Sequence, residues 1–284
     1  MHPRVILNYK VVEASKARLP AITSATLHGR GVFTTVAVYG GRAFQWPRHW
    51  ARLMEHAQRA GVERTLHDET TVGAALSTLI EENKVGRGRA RVTILARAER
   101  GLWKMKSPDG LPSDLLITTG EARAADADDA LALTVSPHRT NTLAALAGVK
   151  SVNYLEQVLA WEEGRGRGFD EVVRLNERGE VVSASMANLF WVTEGTLHTP
   201  ALATGAVEGT TRACVLELAA GMSVPVVEGV YDLAHLGDAE EIFLTSVGLG
   251  VGMVTTFDFR RYAVSAGSVA PRLREAFRQL TLQS

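Results

Sequence analysis

The sequence predicts an α+β protein of two domains, a smaller N-terminal α/β domain and a larger, strand-rich C-terminal domain. Its 284 residues are about twice the usual length of one domain. Runs with the two-residue period of strands occur beside runs with the helical period in both halves of the chain. The stretch GEARAADADD, which begins at Gly120, lacks large apolar residues and is typical of a linker. We therefore predict domains at residues 1–120 and 131–284, joined by a linker at residues 121–130.

The predicted elements of the N-terminal domain begin with a hairpin. Val32–Tyr39 is rich in β-branched and aromatic residues, and the glycine pair that follows favours a turn to a partner strand at Arg42–Trp46. Pro47 suits the first turn of a helix, and Asp68 is a good N-cap for a second one. Apolar residues recur at helical spacing after both positions. Further strands are predicted at Arg91–Ala96 and Asp114–Thr119.

The C-terminal domain is predicted to contain more strands than helices. Turn-forming residues at Asn176–Gly179 and Glu194–Gly195 separate short apolar runs. Gly248–Gly252 predicts a tight glycine loop and not a dinucleotide site, because no helical pattern follows it. Helices are predicted at Val152–Glu163, from about Thr211 and at Ala270–Leu280. The predicted strands are Leu131–Ser136, Glu171–Leu175, Val181–Ser183, Asn188–Thr193, Thr196–Thr199, Val224–Val227 and Glu241–Thr245.

The composition argues against several classes of protein. Thirty-one Lys and Arg balance thirty-one Asp and Glu, so the formal net charge is zero. A chain without excess positive charge is not favoured to bind nucleic acid or a membrane surface. Cys214 is the single cysteine, which excludes an intramolecular disulfide and a zinc site made of cysteines. The eight histidines are scattered, so no metal site is expected. The apolar run Val5–Leu7 is too short for a signal peptide, and we expect a cytoplasmic protein.

Lys150 is the first residue that suggests chemistry. It follows the largely apolar stretch Leu143–Val149 and precedes the predicted helix that contains Tyr154. Burying an ammonium group is costly and lowers its pKa, and a lysine with a lowered pKa is suited to Schiff-base chemistry. A solvated lysine between a loop and a helix is the alternative, and the residue by itself favours that alternative.

A second pattern suggests a phosphate site. Thr210 and Thr211 follow Gly209 at the predicted start of a helix, where amide groups and the helix dipole favour an anion. Arg52, on the helix after Pro47, has the charge and geometry for a bidentate phosphate contact. The alternatives are an N-capping threonine and an ordinary surface arginine.

Taken in order, seven segments of the chain resemble one family of enzymes. They are HGRGVFTT from His28, HWARL from His49, AGVKSVNYLEQVLA from Ala147, FDEVVRLNERGEVV from Phe169, ANLFW from Ala187, EGTTR from Glu208 and EEIFLTS from Glu240. Their order and spacing resemble the class IV (fold-type IV) aminotransferases, which depend on pyridoxal 5′-phosphate (PLP). That family includes branched-chain and D-amino-acid aminotransferases and aminodeoxychorismate lyase. The resemblance extends from about Leu27 to Val254.

The resemblance implies a role for each matching residue. Lys150 would form the Schiff base with PLP and then move the proton between the substrate Cα and the cofactor. Arg52 would hold the phosphate, and Tyr154 would hydrogen-bond the ring oxygen. Asn188 would fix the strand that passes the cofactor. The other protein groups that hold the phosphate would be the amides of Thr210 and Thr211 and groups near Ser246 and Val247.

The chain also departs from the family pattern. The glutamate usual opposite the pyridine nitrogen is expected five residues before Asn188, where this chain has Ser183. Gly29–Gly31 carries Arg30 in place of an aspartate, Val247 replaces a threonine, and Met253 replaces a proline. A serine hydroxyl brings no charge to the nitrogen. We therefore predict a modest rate of transamination and a preference for elimination or some narrower reaction. An acidic side chain from another strand that replaces the glutamate is the alternative.

The resemblance leaves three functions open. The first is a PLP-dependent aminotransferase that moves an amino group between an amino acid and a 2-keto acid through a lysine Schiff base. The second is aminodeoxychorismate lyase, which forms 4-aminobenzoate and pyruvate. The third is a catalytically weakened PLP-binding descendant, which the retention of Lys150 argues against. The expected partners are small amino and keto acids and a second copy of the chain in a homodimer. Ala98–Pro112 is expected to be a solvated loop or to line the substrate entrance.

Overall fold

The computed structural model describes residues 1–97, 112–122 and 130–283. The predicted linker at residues 121–130 and the predicted loop at Ala98–Pro112 lie almost wholly outside the described residues. Within those residues, no helix combines the length and the apolar composition that a membrane crossing needs.

The chain divides into two compact units. The first comprises Met1–Arg123 together with Val149–Tyr154, and the second comprises Ala124–Gly148 together with Leu155–Gln283. The short segment Val149–Tyr154, which contains Lys150, therefore belongs with the N-terminal unit although it follows the beginning of the C-terminal one.

The first unit is an antiparallel sheet with α-helices packed on it. Its described strands are β1 (Arg4–Leu7), β2 (Lys10–Glu13), β3 (Gly31–Tyr39), β4 (Arg42–Ala43), β5 (Arg87–Ala96) and β6 (Ser113–Glu121). Its described α-helices are α1 (Ser24–His28), α2 (Trp46–Arg59) and α3 (Glu69–Glu82). The strand order is β2-β1-β6-β5-β3-β4.

Local chemistry accounts for the elements of this unit. Gly40 and Gly41 both have positive φ, 56° and 78°, which a tight hairpin turn between β3 and β4 requires. The Asp68 carboxylate caps α3 by accepting a hydrogen bond from the Thr71 amide at 2.9 Å. The predicted hairpin and both predicted helices are confirmed, although β4 is shorter than expected because α2 already begins at Trp46.

The core of the first unit lies between the sheet and helices α2 and α3. Burying each large apolar side chain stabilises the fold by roughly 1.5–3 kcal/mol. The buried residues include Val32, Val36, Leu53, Ala57, Leu76, Leu79, Ile80, Ile94 and Ile117.

The second unit is a larger mixed sheet with helices packed on it. Its described strands are β7 (Leu131–Val135), β8 (Glu171–Leu175), β9 (Val181–Ala184), β10 (Asn188–Thr193), β11 (Thr196–Pro200), β12 (Val226–Gly229), β13 (Glu241–Ser246), β14 (Gly250–Phe257) and β15 (Arg260–Arg261). Its described α-helices are α4 (Leu155–Gly166), α5 (Thr210–Gly221), α6 (Ala234–Gly237) and α7 (Val269–Leu282). The strand order is β12-β11-β10-β13-β14-β7-β8-β9, and β15 pairs with β14. Both units combine sheets with packed helices, so the α+β prediction is confirmed.

Two predicted elements of the second half are wrong in part. The helix predicted at Val152–Glu163 begins only at Leu155, because the preceding segment is extended and Ser151 forms an antiparallel bridge with Val32. The predicted glycine loop is reduced to a short turn after Ser246, and β14 follows it directly. Gly252 fits this strand because a Cβ there would lie 3.0 Å from a methyl group of Leu131 on the neighbouring strand.

Candidate active site

Lys150 lies in a segment that extends the sheet of the first unit. Strand β4 pairs only with Val38 and Tyr39 at the end of β3, which leaves the edge at the start of β3 available. There the Phe33 amide donates to the Lys150 carbonyl at 3.0 Å, and the Val152 amide donates to the carbonyl of Gly31 at 3.0 Å. These backbone bonds fix Lys150 against β3.

The ammonium group of Lys150 lies among aromatic rings and other cations. Its Nζ is 4.6 Å from the ring centroid of Phe33 and 4.8 Å from that of Tyr154. The two rings meet edge to face with their centroids 5.3 Å apart. Burial, together with the positive charges of Arg52 and Arg91, lowers the pKa of Lys150 to about 7. A large fraction of its amine is therefore uncharged near neutral pH.

Arg52 is held beside this lysine by a buried polar chain. The Arg52 side chain on α2 is buried and donates from Nη2 to the Thr34 hydroxyl at 2.9 Å. The same hydroxyl lies 2.7 Å from His49 Nδ1. Burial, with the charges of Arg52 and Lys150, lowers the pKa of His49 to about 3. Since a guanidinium can only donate, Thr34 accepts from Arg52 and can donate its own proton to neutral His49.

Helix α2 contributes a second histidine to the same group. His49, Arg52 and His56 recur at intervals of three and four residues and so share one face of α2. His56 is buried, and its Nδ1 accepts a hydrogen bond from the Lys150 amide at 3.0 Å. We call Phe33, Thr34, His49, Arg52, His56, Arg91, Lys150 and Tyr154 the lysine cluster.

Arg91 adds an exposed cation to the lysine cluster. Its guanidinium carbon lies 3.5 Å from the ring centroid of Phe33, and its Nε donates to the Thr93 hydroxyl at 3.3 Å. Partial burial lowers the pKa of Arg91, and the nearby phenol of Tyr154 opposes that effect. The arginine still carries its charge at neutral pH, which suits a carboxylate ligand.

In the second unit, the start of α5 is shaped by a close contact with Asn188. The Asn188 amide nitrogen donates to the Val207 carbonyl at 2.9 Å. A Cβ on Gly209 would overlap Asn188 Oδ1, so any other residue here would require the Asn188 side chain to move. Gly209 is the N-cap of α5 and provides no side-chain cap, and Thr210 and Thr211 are buried. Amide groups and the helix dipole at this start favour an anion.

A buried hydroxyl lies on the neighbouring strand of the same sheet. Thr245 is directly opposite Asn188 across the β10–β13 pair. Its hydroxyl is buried and has no hydrogen-bond partner among the described residues. A ligand oxygen that reaches this side chain would satisfy it. We call Asn188, Gly209, Thr210, Thr211 and Thr245 the helix-start cluster.

Ser246 and Val247 lie at the end of β13. The Ser246 hydroxyl accepts a hydrogen bond from the Leu249 amide at 3.2 Å and so closes the turn to β14. Val247 lies within that turn. The structure therefore gives Ser246 a local structural contact.

Ser183 lies beside a buried arginine. It is directly opposite Arg174 across the β8–β9 pair, and its hydroxyl donates to the Ala184 carbonyl at 2.8 Å. Glu171 is a buried carboxylate on β8, but its two oxygens accept hydrogen bonds from Ser185 and Met186 in the turn after β9. Burial raises the pKa of Glu171 in spite of these bonds. Glu171 therefore secures the turn, and its oxygens are already engaged there.

Within each unit, the structure brings predicted site residues together. Arg52, Lys150 and Tyr154 meet in the lysine cluster, and Asn188, Thr210 and Thr211 meet in the helix-start cluster. Sequence patterns gave no reason to single out His56 or Arg91 as site residues, and Thr34 and His49 stood out only inside longer motifs. The spacing of His49, Arg52 and His56 on one helix face is the signal that could have found the histidines.

Comparison with known proteins identifies the family. Residues 31–257 match the family model described as amino-transferase class IV. A putative branched-chain-amino-acid aminotransferase of Methanocaldococcus jannaschii is 29% identical over 280 residues, which are 98% of this chain and 96% of the relative. An aminodeoxychorismate lyase of Vibrio harveyi is 30% identical over 236 residues, 80% of this chain and 83% of that protein. The chain belongs to the class IV aminotransferase family, as the sequence segments indicate.

Solved structures confirm the fold. A branched-chain aminotransferase from Thermoproteus uzoniensis superposes with a TM-score of 0.91 at 23% identity, covering 100% of this chain and 96% of that one. A T.th. branched-chain aminotransferase, solved with pyridoxamine 5′-phosphate, gives a TM-score of 0.89 at 23% identity over 99% of this chain and 94% of that one. The fold-type IV prediction is confirmed. The protein is an enzyme, and its family supports amino-group transfer as the reaction.

Proposed function

We propose that this enzyme is a PLP-dependent aminotransferase that moves an amino group between an amino acid and a 2-keto acid, with Lys150 as the lysine that joins the cofactor. The observation that carries the proposal is the partly buried amine of Lys150, whose pKa of about 7 makes it a nucleophile at neutral pH. The T.th. relative, solved with the amino form of this cofactor, supports the choice of PLP.

Each unit offers groups that suit a phosphorylated aldehyde. Arg52 offers a guanidinium suited to a phosphate, and the start of α5 offers the amides of Thr210 and Thr211. The buried Thr245 hydroxyl, which lacks a partner among the described residues, is the kind of atom that a ligand oxygen satisfies. We assign Ser183, Asn188, Ser246 and Val247 to cofactor binding as well, by their positions within or directly after the family segments.

When bound, PLP supplies an electron-withdrawing ring that stabilises the negative charge left on the substrate Cα. The chain's own residues then have simple tasks. The uncharged Nζ of Lys150 is the base that accepts the proton from the substrate Cα and carries it to the cofactor. Tyr154, whose ring lies against Lys150, holds the ring oxygen, and Arg52 anchors the phosphate. The exposed Arg91 is the cation of the lysine cluster that is placed to receive a substrate carboxylate.

Aminodeoxychorismate lyase is the second candidate. It is favoured by the Vibrio harveyi relative and by Ser183, which has an uncharged hydroxyl where the family pattern has a carboxylate. The lyase reaction requires a leaving group to depart promptly from Cβ. A cofactor ring that withdraws electrons less strongly is compatible with that requirement. A weakened PLP-binding protein is disfavoured, because the lysine cluster retains both Lys150 and Arg52.

The assembly and location that accompany this function are also proposals. We propose a homodimer, because Leu155, Leu159 and Trp161 on α4 are exposed apolar side chains in the single chain. Sedimentation should show a dimer, and a fully active monomer would contradict it. The cytoplasmic location expected from the sequence stays a prediction, which cell fractionation tests.

A visible absorbance spectrum of the purified protein tests the function. We expect PLP uptake and a spectrum that shifts to that of the amino form when a panel of D- and L-amino acids is added. Incubation with aminodeoxychorismate and assay for pyruvate tests the lyase. A colourless protein that takes up no PLP would contradict both functions.

A further inference from the structure

Both backbone hydrogen-bonding groups of Lys150 are engaged, and they are held by different elements. Its carbonyl accepts from the Phe33 amide on β3 at 3.0 Å. Its amide donates to Nδ1 of His56 on α2, also at 3.0 Å, and this bond joins residues 94 positions apart. Lys150 is therefore tied to the sheet on one side and to a helix side chain on the other.

His56 is suited to act as a fixed acceptor. It is 2% exposed, so its ring has little freedom to turn away. An imidazole Nδ1 accepts a hydrogen bond only when it carries no proton. Burial, with the charges of Arg52, Arg59 and Lys150, lowers the pKa of His56 to about 4. The ring therefore stays neutral near neutral pH, and the bond from the Lys150 amide to Nδ1 places its proton on Nε2.

His56 also links two parts of the lysine cluster. It follows Arg52 by four residues on the same face of α2, and Arg52 is itself fixed through Thr34. The single helix α2 thus holds the phosphate-binding arginine directly and the lysine segment through His56. A displacement of about 1 Å between such groups can reduce a rate about 100-fold.

We propose that His56 is a positioning residue, which fixes Lys150 relative to Arg52 by accepting the Lys150 amide hydrogen bond. The proposal rests on the proposed function, in which Lys150 joins the cofactor. It adds a residue to the site that makes no contact with the reacting atoms and acts only through the lysine backbone.

Two substitutions of similar shape separate hydrogen bonding from packing. The Oδ1 of an asparagine is one bond from Cγ, as Nδ1 is in histidine, so His56→Asn keeps an acceptor at that place. His56→Leu has the same branched shape without an acceptor. Gln58→Leu, at an exposed position on α2, is the matched control.

The experiment measures Lys150 itself and not only activity. The full chain is mixed with PLP, reduced with borohydride at set times and mapped by peptide mass spectrometry for the pyridoxyl group on Lys150. Amide hydrogen exchange of the same peptide is followed in parallel. We expect His56→Leu to slow labelling of Lys150 and to speed exchange of its amide by about five-fold or more, while His56→Asn stays within about two-fold. Gln58→Leu should match the unsubstituted protein.

Other outcomes are equally decisive. Equal losses in the leucine and asparagine variants would overturn the proposal in favour of packing, and no loss in either would remove His56 from the site. If the leucine variant does not fold, the ring nitrogen NMR shifts of His56 in the unsubstituted protein decide. An unprotonated Nδ1 from pH 6 to 8 is expected, and a protonated one overturns the proposal. A pyridoxyl group on another lysine of the unsubstituted protein would instead overturn the proposed function.

Discussion

The lysine cluster and the helix-start cluster are built from different chemical groups. In the lysine cluster, titratable side chains crowd together, and both burial and like charge lower the pKa values of Lys150, His49 and His56. In the helix-start cluster, backbone geometry dominates, because Gly209 passes so close to Asn188 that a Cβ fits only if the Asn188 side chain moves. Changes of charge or pH should therefore have the larger effect in the lysine cluster. Changes of side-chain volume should have the larger effect in the helix-start cluster.

The largest effect is expected from the lysine itself. Lys150→Ala removes both the nucleophile and the proton carrier, so amino transfer should fall at least about 1,000-fold. Borohydride reduction and peptide mapping should place the pyridoxyl group on Lys150 in the parent and find none there in the variant. Lys10→Ala, at an exposed position, is the control. A variant with near-parental turnover would remove Lys150 from the chemistry.

Acid should destabilise the fold through the two buried histidines of the lysine cluster. Their pKa values are about 3 for His49 and about 4 for His56 in the folded chain, against about 6.5 when unfolded. The unfolded state therefore binds more protons below pH 6.5, and the stabilising contribution present above that pH is lost as the pH falls toward 4 for His56 and toward 3 for His49. The free energy of unfolding should drop by up to about 1.4 kcal/mol per pH unit for each histidine.

Urea unfolding at pH 7, 6 and 5 measures this slope. The double variant His49→Asn, His56→Asn should show a shallower slope than the parent, since carboxylates titrate equally in both proteins. Identical slopes would mean that the two histidines are already protonated or accessible in the folded state.

Loss of the arginine should weaken cofactor binding. A charge-assisted contact contributes roughly 1.5–3 kcal/mol, so Arg52→Ala should weaken PLP binding about ten-fold or more. The PLP affinity of Arg52→Lys should lie between those of the parent and Arg52→Ala, because an ammonium group keeps the positive charge but lacks the paired donors of a guanidinium. Equilibrium titration checks this, with the exposed Arg64→Ala as control. Unchanged affinity in Arg52→Ala would move the phosphate elsewhere.

The helix-start cluster should respond to volume instead of charge. Gly209→Ala introduces a Cβ about where Asn188 Oδ1 now lies, and overpacking of this kind costs about 1–3 kcal/mol. We expect PLP binding to weaken about five-fold, and Asn188→Ala in the same chain to restore part of the loss. Gly221→Ala, at the other end of α5 where a Cβ meets nothing within 4 Å, is the matched control. An unaffected Gly209→Ala would show that the close contact does not matter for binding.

The smallest effect is expected at Ser183. A carboxylate there would favour a protonated pyridine nitrogen and a deeper electron sink, so Ser183→Glu should raise transamination a few-fold at saturating PLP. Ser183→Gln has nearly the same shape without the charge and should not. If the glutamate variant is no faster than the parent, the electronic argument is wrong.

Several candidate site residues lie in elements that short stretches of sequence predict. Arg52 follows a proline that begins a helix, and Thr210 and Thr211 follow the glycine that begins another, so local rules place these residues correctly. Lys150 stood out because a lysine is unusual after an apolar stretch. The hydrogen bonds from Lys150 to His56 and from Arg52 to Thr34 could not be predicted, because they join residues far apart in the chain.

The sequence by itself determined most of the strand and helix pattern, the starts of α2, α3 and α5 and the kinds of residue available for chemistry, because these depend on neighbours within a few positions. The tertiary structure decided that Lys150–Val152 pairs with β3 and that α4 begins only after this segment, because the edge at the start of β3 was available. It also decided the charge state of the lysine cluster. A pKa depends on desolvation and on charges a few ångströms away, and only the folded chain brings Arg52 and Arg91 near Lys150.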